Sequence, residues 1–244
     1  MQQRKQYTCV IFDADHTLLD YIADEYAAFE RVYRTIGMEI SPSLLAASRR
    51  HSEETWTEAG LYDVHSPEIQ RTYHAVYRSH VEGIFQKVFV QYPCPNPDWT
   101  AKKTGELFLR ELEKEGNLLP FAEEILKRLS NRFGGAYTVC IATNGLSAIQ
   151  RGRLAKLEKY GRVYISEEMG FIKPLLPFFY KILQDEGVDF SRCLMVGDSL
   201  LSDVAGAKAA HIDACWFNPR KQKNTTAYTP DYEIFSLENL TDIL

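Results

Sequence analysis

Residues 8–17 read Thr8-Cys9-Val10-Ile11-Phe12-Asp13-Ala14-Asp15-His16-Thr17. Thr8–Phe12 is a short, largely apolar run, and apolar residues at consecutive positions suit a strand covered on both faces of a parallel sheet. The run ends on two aspartates spaced i, i+2. Open α/β sheets bind ligands beyond the carboxyl ends of their strands, so both acids fall where chemistry is expected. Two carboxylates aimed at one pocket can divide the work, one attacking as a nucleophile while the other donates and accepts protons. Taken alone, the pair also reads as two solvated loop acids.

Further strand-like runs lie at Tyr137–Ala142, Val163–Ile165, Cys193–Val196, Ala214–Phe217 and Tyr232–Ile234. Helical stripes fall between them. Phe121, Ile125, Leu126 and Leu129 form one behind Pro120; Ile149, Leu154 and Leu157 form another that stops near Gly161; Phe178, Phe179, Ile182 and Leu183 form a third that stops at Gly187. Strand alternating with helix predicts an α/β fold, a doubly wound and mainly parallel Rossmann-like sheet. Residues 18–116 break the alternation and read as all helix. One helix ends before Gly37, others start at Ser41-Pro42 and Ser66-Pro67, and a last one runs from near Asp98 to Gly116. The expected organisation is a catalytic core of residues 1–17 and 117–244, with a helical cap of residues 18–116 inserted after the first strand.

Three more motifs follow predicted strands. Ile141-Ala142-Thr143-Asn144-Gly145 offers a hydroxyl and backbone donors to a phosphate oxygen, although a plain strand-to-helix turn would use the same Asn-Gly pair. Lys173 precedes Pro174, which biases the lysine to an extended conformation. Val196-Gly197-Asp198-Ser199-Leu200-Leu201-Ser202-Asp203 repeats the pattern of acids after an apolar strand, and Asp203 alone reads equally as a helix N-terminal acid. Their conjunction decides between these readings. The fold gathers strand ends, so Asp13, Asp15, Asp198 and Asp203 would crowd four carboxylates into one pocket, an unfavourable arrangement without a cation. All-oxygen ligation beside an incoming phosphate suits Mg²⁺, and Lys173 supplies the remaining positive charge.

The order Asp-x-Asp, Thr, Lys, Asp-x4-Asp resembles the haloacid dehalogenase superfamily. That resemblance implies a phosphatase in which Asp13 attacks phosphorus and Asp15 serves as acid and then base. Thr143, Asn144 and Lys173 would hold the phosphoryl group, with Asp13, the Asp15 backbone carbonyl, Asp198 and Asp203 around Mg²⁺. Dehalogenases of this type lack the second aspartate, whereas phosphomutases keep both acids. A narrower resemblance, to house-cleaning pyrimidine 5′-nucleotidases with a small helical cap, rests on Phe12–Asp15, Ile141–Gly145, Gln150, Arg153-Leu154 and Ile165–Gly170. Lys173-Pro174, Leu194–Asp198, Ser202-Asp203, Cys215–Asn218 and Pro230–Tyr232 complete it. His16 departs from the pattern, standing where relatives more often carry glycine or an acid. The implied substrate is a small phosphorylated metabolite, first a pyrimidine nucleoside 5′-monophosphate and alternatively a sugar phosphate. A silent binding protein on the same fold is the reading of another class. Trp56 and Tyr21 are candidate base contacts in the cap, or else fill the cap's own core.

Composition fits this picture. With 244 residues, 45% hydrophobic and 25% charged, the chain has the makeup of an ordinary globular protein. A net charge of −5 argues against nucleic acid or an anionic membrane as the main partner. Five cysteines without a C-x-x-C pair suit free thiols in a reducing cytoplasm, and the polar N-terminus shows no secretory signal. A monomer or homodimer is expected.

Overall fold

A computed structural model describes residues 6–114 and 116–244. The chain divides into two compact units. The first comprises the segment ending at Asp20, Leu118–Asn144 and Leu154–Leu244; the second comprises Tyr21–Asn117 and Gly145–Arg153.

The first unit is built on a six-stranded, all-parallel sheet in the order β3-β2-β1-β4-β5-β6, with β1 at Cys9–Phe12, β2 at Thr138–Thr143, β3 at Arg162–Ile165, β4 at Cys193–Gly197, β5 at Asp213–Phe217 and β6 at Tyr232–Ile234. All six strands stand where the apolar runs predicted them, to within a residue at either end. Both faces are buried, which is why the strands are apolar at consecutive positions. Val10, Phe12, Ile141 and Val196 enter one core cluster, and Cys9, Ile11, Cys140 and Met195 enter the other. The chain runs outward from β1 through β2 to β3 and then returns to β4 on the far side of β1. That reversal places the switch point of the sheet between β1 and β4. In register, Phe12 lies beside Ile141 on one side and Val196 on the other. The residues after β1, β2 and β4 therefore emerge together.

Helices α5 (Ala122–Leu129), α7 (Ser166–Met169), α8 (Leu176–Glu186) and α9 (Ala205–Ala209) belong to this unit. Helix α8 ends at Gly187, whose φ of +62° is the left-handed cap that glycine adopts cheaply. One expected stripe is corrected. Phe121 does not join the buried face of α5, because it precedes the helix in a left-handed conformation (φ +66°) and is 40% exposed.

The second unit contains α1 (Tyr21–Ile36), α2 (Pro42–Glu58), α3 (Pro67–Gln91) and α4 (Ala101–Leu112). The Ser41 hydroxyl caps α2 by accepting from the Leu44 amide, as its Ser-Pro start predicted. Helix α4 starts later and stops earlier than expected. Thr100 rather than Asp98 supplies the capping oxygen, and the helix ends at Leu112. Helix α6 (Ser147–Leu154) also stops short of the predicted Gly161, with Leu157 in the turn that follows.

Residues 145–153 fall with these helices. The Arg153 guanidinium, 2% exposed as a residue, donates to Asp24 Oδ2 from both Nε (3.0 Å) and Nη2 (2.6 Å). Asp24 Oδ1 accepts from the backbone and side-chain nitrogens of Asn117 at 2.6 and 2.8 Å. A Cβ on Gly152 would meet the Glu113 carbonyl oxygen at 1.7 Å, so only glycine permits that approach. Among the described residues no helix is long and apolar enough to cross a membrane.

Candidate active site

The site grows from the switch point of the sheet. Asp13, one residue beyond β1, keeps its amide on the Val196 carbonyl of β4 at 2.8 Å. Its backbone thus continues the strand while its carboxylate leaves the sheet. Asp13, Asp198 and Asp203 each present a carboxylate oxygen within 4.8 Å of the others. Lys173 stands among them, 1% exposed. Its ammonium donates to Asp13 Oδ1 (2.5 Å), Asp203 Oδ1 (2.7 Å) and the Ala142 carbonyl (2.7 Å).

The charges are out of balance. Asp13 is raised to about 7, chiefly by burial and against the pull of Lys173, with Asp203 and Asp15 adding to the rise. Asp198 is held well above the ordinary carboxylate range by burial, then by Asp13 and Asp203. For Lys173, burial works against the charged form, but Asp13 and Asp203 outweigh it and raise the ammonium above its usual range. One lysine does not compensate this group of acids.

Several groups aim these side chains. A wide, π-type turn at Leu200–Val204 carries Asp203, whose Oδ2 accepts from the Ser199 amide at 3.1 Å. A Cβ on Gly197 would lie 2.2 Å from that same Oδ2, so glycine at the end of β4 makes room for the carboxylate. The Asp198 peptide is held at both ends. Its N–H donates to Thr17 Oγ1 at 3.1 Å, and its carbonyl accepts from Trp216 Nε1 at 2.8 Å. The Lys173 peptide is held likewise by the Asn144 side chain, through Oδ1 from Lys173 N (2.8 Å) and Nδ2 to Lys173 O (2.9 Å). Thr143, the last residue of β2, is 1% exposed. His16 turns the first motif with φ +63°, a conformation that favours glycine and is met here by a histidine.

Of the residues singled out by sequence, Asp13, Lys173, Asp198 and Asp203 are thus joined directly. Asp15 is near enough to raise Asp13 and Asp198 electrostatically. Tyr21 and Trp56 lie in the helical unit. The Arg153 guanidinium sits 5.1 Å from the Tyr21 ring centroid. Trp56 meets Tyr62, Tyr73, Tyr77 and His80 edge-on, with centroids 5.1–6.3 Å away. Thr17, Asp24 and Trp216 were given no role by the sequence. Thr17 stands inside the first motif and Trp216 on a matching strand end, which were the available signals; Asp24 gave none.

A family model of haloacid dehalogenase-like hydrolases matches residues 7–211, and the chain belongs to that family. It is 30% identical over 242 residues to the pyrimidine 5′-nucleotidase PynA of Streptococcus pneumoniae, covering 98% of this chain and 95% of that one. It is 26% identical over 239 residues to the pyrimidine 5′-nucleotidase YjjG of Escherichia coli, covering 96% of each. Among solved structures, the magnesium-bound HAD-hydrolase YfnB of Bacillus subtilis superposes with a TM-score of 0.80 at 26% identity, covering 98% of this chain and 99% of that one.

Proposed function

We propose that this hydrolase is a Mg²⁺-dependent phosphatase whose preferred substrate is a pyrimidine nucleoside 5′-monophosphate. The observation that carries it is the convergence of the Asp13, Asp198 and Asp203 carboxylates around Lys173. The substrate class is supported by the two relatives named as pyrimidine 5′-nucleotidases.

The residues fit a divalent ion. Asp13 and Asp198 are raised by burial and by neighbouring acids, the mark of a site short of positive charge. Asp13, the Asp15 backbone carbonyl, Asp198 and Asp203 form an all-oxygen donor set of the kind Mg²⁺ takes. Bound there, Mg²⁺ supplies charge that offsets the phosphoryl oxygens.

The chain's own residues carry the steps. An Asp13 carboxylate oxygen attacks phosphorus in line, and the bond to the leaving oxygen breaks. Asp15 gives its proton to that oxygen. The resulting aspartyl-phosphate is cleaved by water, whose proton passes to Asp15; orthophosphate leaves and the Asp13 carboxylate is restored. Lys173, the Thr143 hydroxyl and the backbone amides of Ala14, Asp15 and Asn144 hold the phosphoryl oxygens throughout. The same proposal takes residues 1–17 and 117–244 as the catalytic core and residues 18–116 as its cap. It places the enzyme in the cytoplasm, acting on a small metabolite as a monomer or homodimer.

A phosphate-release screen over nucleoside monophosphates and sugar phosphates, with and without Mg²⁺, tests it. Uridine and thymidine monophosphates are expected to lead, and Asp13→Asn to abolish release. Full turnover by Asp13→Asn removes the nucleophile assignment, and a sugar phosphate at the head of the screen removes the nucleotide preference.

A further inference from the structure

We infer that Asn144 is a positioning residue that acts through Lys173, an inference that rests on the phosphatase proposed above. The side-chain amide of Asn144 spans the whole main-chain unit of Lys173, accepting from its N–H and donating to its carbonyl. It therefore pairs with residue 173 as a neighbouring strand would, one position beyond the end of β2. The other end of the lysine is fixed from the same strand. The Ala142 carbonyl, two residues before Asn144, accepts from Nζ at 2.7 Å. Root and head of one long side chain are thus both tied to the carboxyl end of β2.

A lysine has a flexible four-carbon stem and loses much rotamer freedom when its head is fixed. Lys173 lies outside the regular elements, between α7 and α8, so no ladder sets its backbone. Its three ammonium hydrogens are nevertheless shared among Asp13, Asp203 and Ala142. That geometry holds only if the Cα is fixed as well, and the Asn144 amide does this. A side chain that swung toward a phosphoryl oxygen would release both bonds. The Asn144 side chain thus acts on phosphate through Lys173, and any direct contact from this residue would come from its backbone amide.

The test compares the unsubstituted chain, Asn144→Ala, Lys173→Met and the double variant. In Asn144→Ala the Lys173 backbone amide is expected to exchange its hydrogen faster. The kcat on p-nitrophenyl phosphate should fall on the order of 10–100-fold, the range met when groups orienting a functional side chain are removed. Orthophosphate binding should weaken while Mg²⁺ half-saturation stays put. In the Lys173→Met background, Asn144→Ala should cost orthophosphate nothing further. Additive losses in the double variant would make Asn144 a direct phosphate ligand and overturn the inference, as would unchanged exchange at Lys173. Asn144→Ser repeats the comparison if the alanine variant folds poorly. A chain that releases no phosphate from any substrate would sink the phosphatase instead, and the exchange measurement, which needs no ligand, would still decide the clamp.

Discussion

The indole N–H of Trp216 donates to the backbone carbonyl of Asp198 over 2.8 Å. An aromatic residue on β5 thereby holds the carbonyl of an acid that follows β4, while Thr17 holds the same residue's N–H. Trp216→Phe keeps a ring and removes the donor. Mg²⁺ half-saturation of phosphate release is expected to rise about 10-fold, the lower end of what outer partners of ligands contribute. Thermal or denaturant unfolding should show a loss of about 1–3 kcal/mol, from the unpaired carbonyl and the smaller ring. Unchanged Mg²⁺ dependence would restrict Trp216 to packing.

The Asp24–Arg153 pair is buried on both sides, with side-chain exposures of 4% and 1%. Removing one partner leaves an uncompensated charge, so Asp24→Leu or Arg153→Met should each cost about 3–5 kcal/mol. The double variant is expected to cost much less than the sum, because two apolar side chains replace two ions. Denaturant unfolding of the four proteins measures the coupling directly; additive losses would show that the pair does not act as one unit.

Glu25 gives a pH dependence to the helical unit. Burial raises its carboxyl to about 7, against Arg49, whose Nε lies 3.0 Å away, and Ser52, which donates at 2.5 Å. Glu53 adds to the rise and Arg153 opposes it. The folded value lies above the unfolded one, so the folded state holds the proton more tightly. The stability Glu25 contributes is full below about pH 4.5 and is lost as pH rises through about 7, on the order of 3 kcal/mol in all. Glu25→Gln should flatten this part of the stability–pH curve. A curve of the same slope in the variant would assign the effect elsewhere.

How much of this was readable beforehand follows from how local each feature is. The strands were legible because both faces are buried, and the acids of the site were legible because each stands just past a strand. Lys173 was legible from its place in the order of the motifs. Phe121 misled because periodicity counts apolar residues without knowing that one has turned to φ +66°. Thr100 was passed over for Asp98 because both are good caps three residues or fewer from a helix start. Asp24 and Arg153 are 129 residues apart and neither belongs to a motif of acids, so nothing along the chain pairs them.

Trp56 is a residue for which the sequence left two readings, a base contact or a member of the helical unit's own core. Its four edge-on aromatic neighbours, Tyr62, Tyr73, Tyr77 and His80, suit a packing role. Trp56→Ala should then cost about 3–5 kcal/mol of stability and raise KM equally for a nucleotide and for p-nitrophenyl phosphate. A KM increase confined to the nucleotide would return Trp56 to the base-binding residues.

Because residues 145–153 go with the helices, the chain passes from one unit to the other four times. Residues 21–117 lifted out alone would leave behind the guanidinium that Asp24 meets. Moving the helical unit to a related chain is therefore a two-segment transplant, and libraries that shuffle only residues 21–117 will sample chimeras with an orphaned buried arginine.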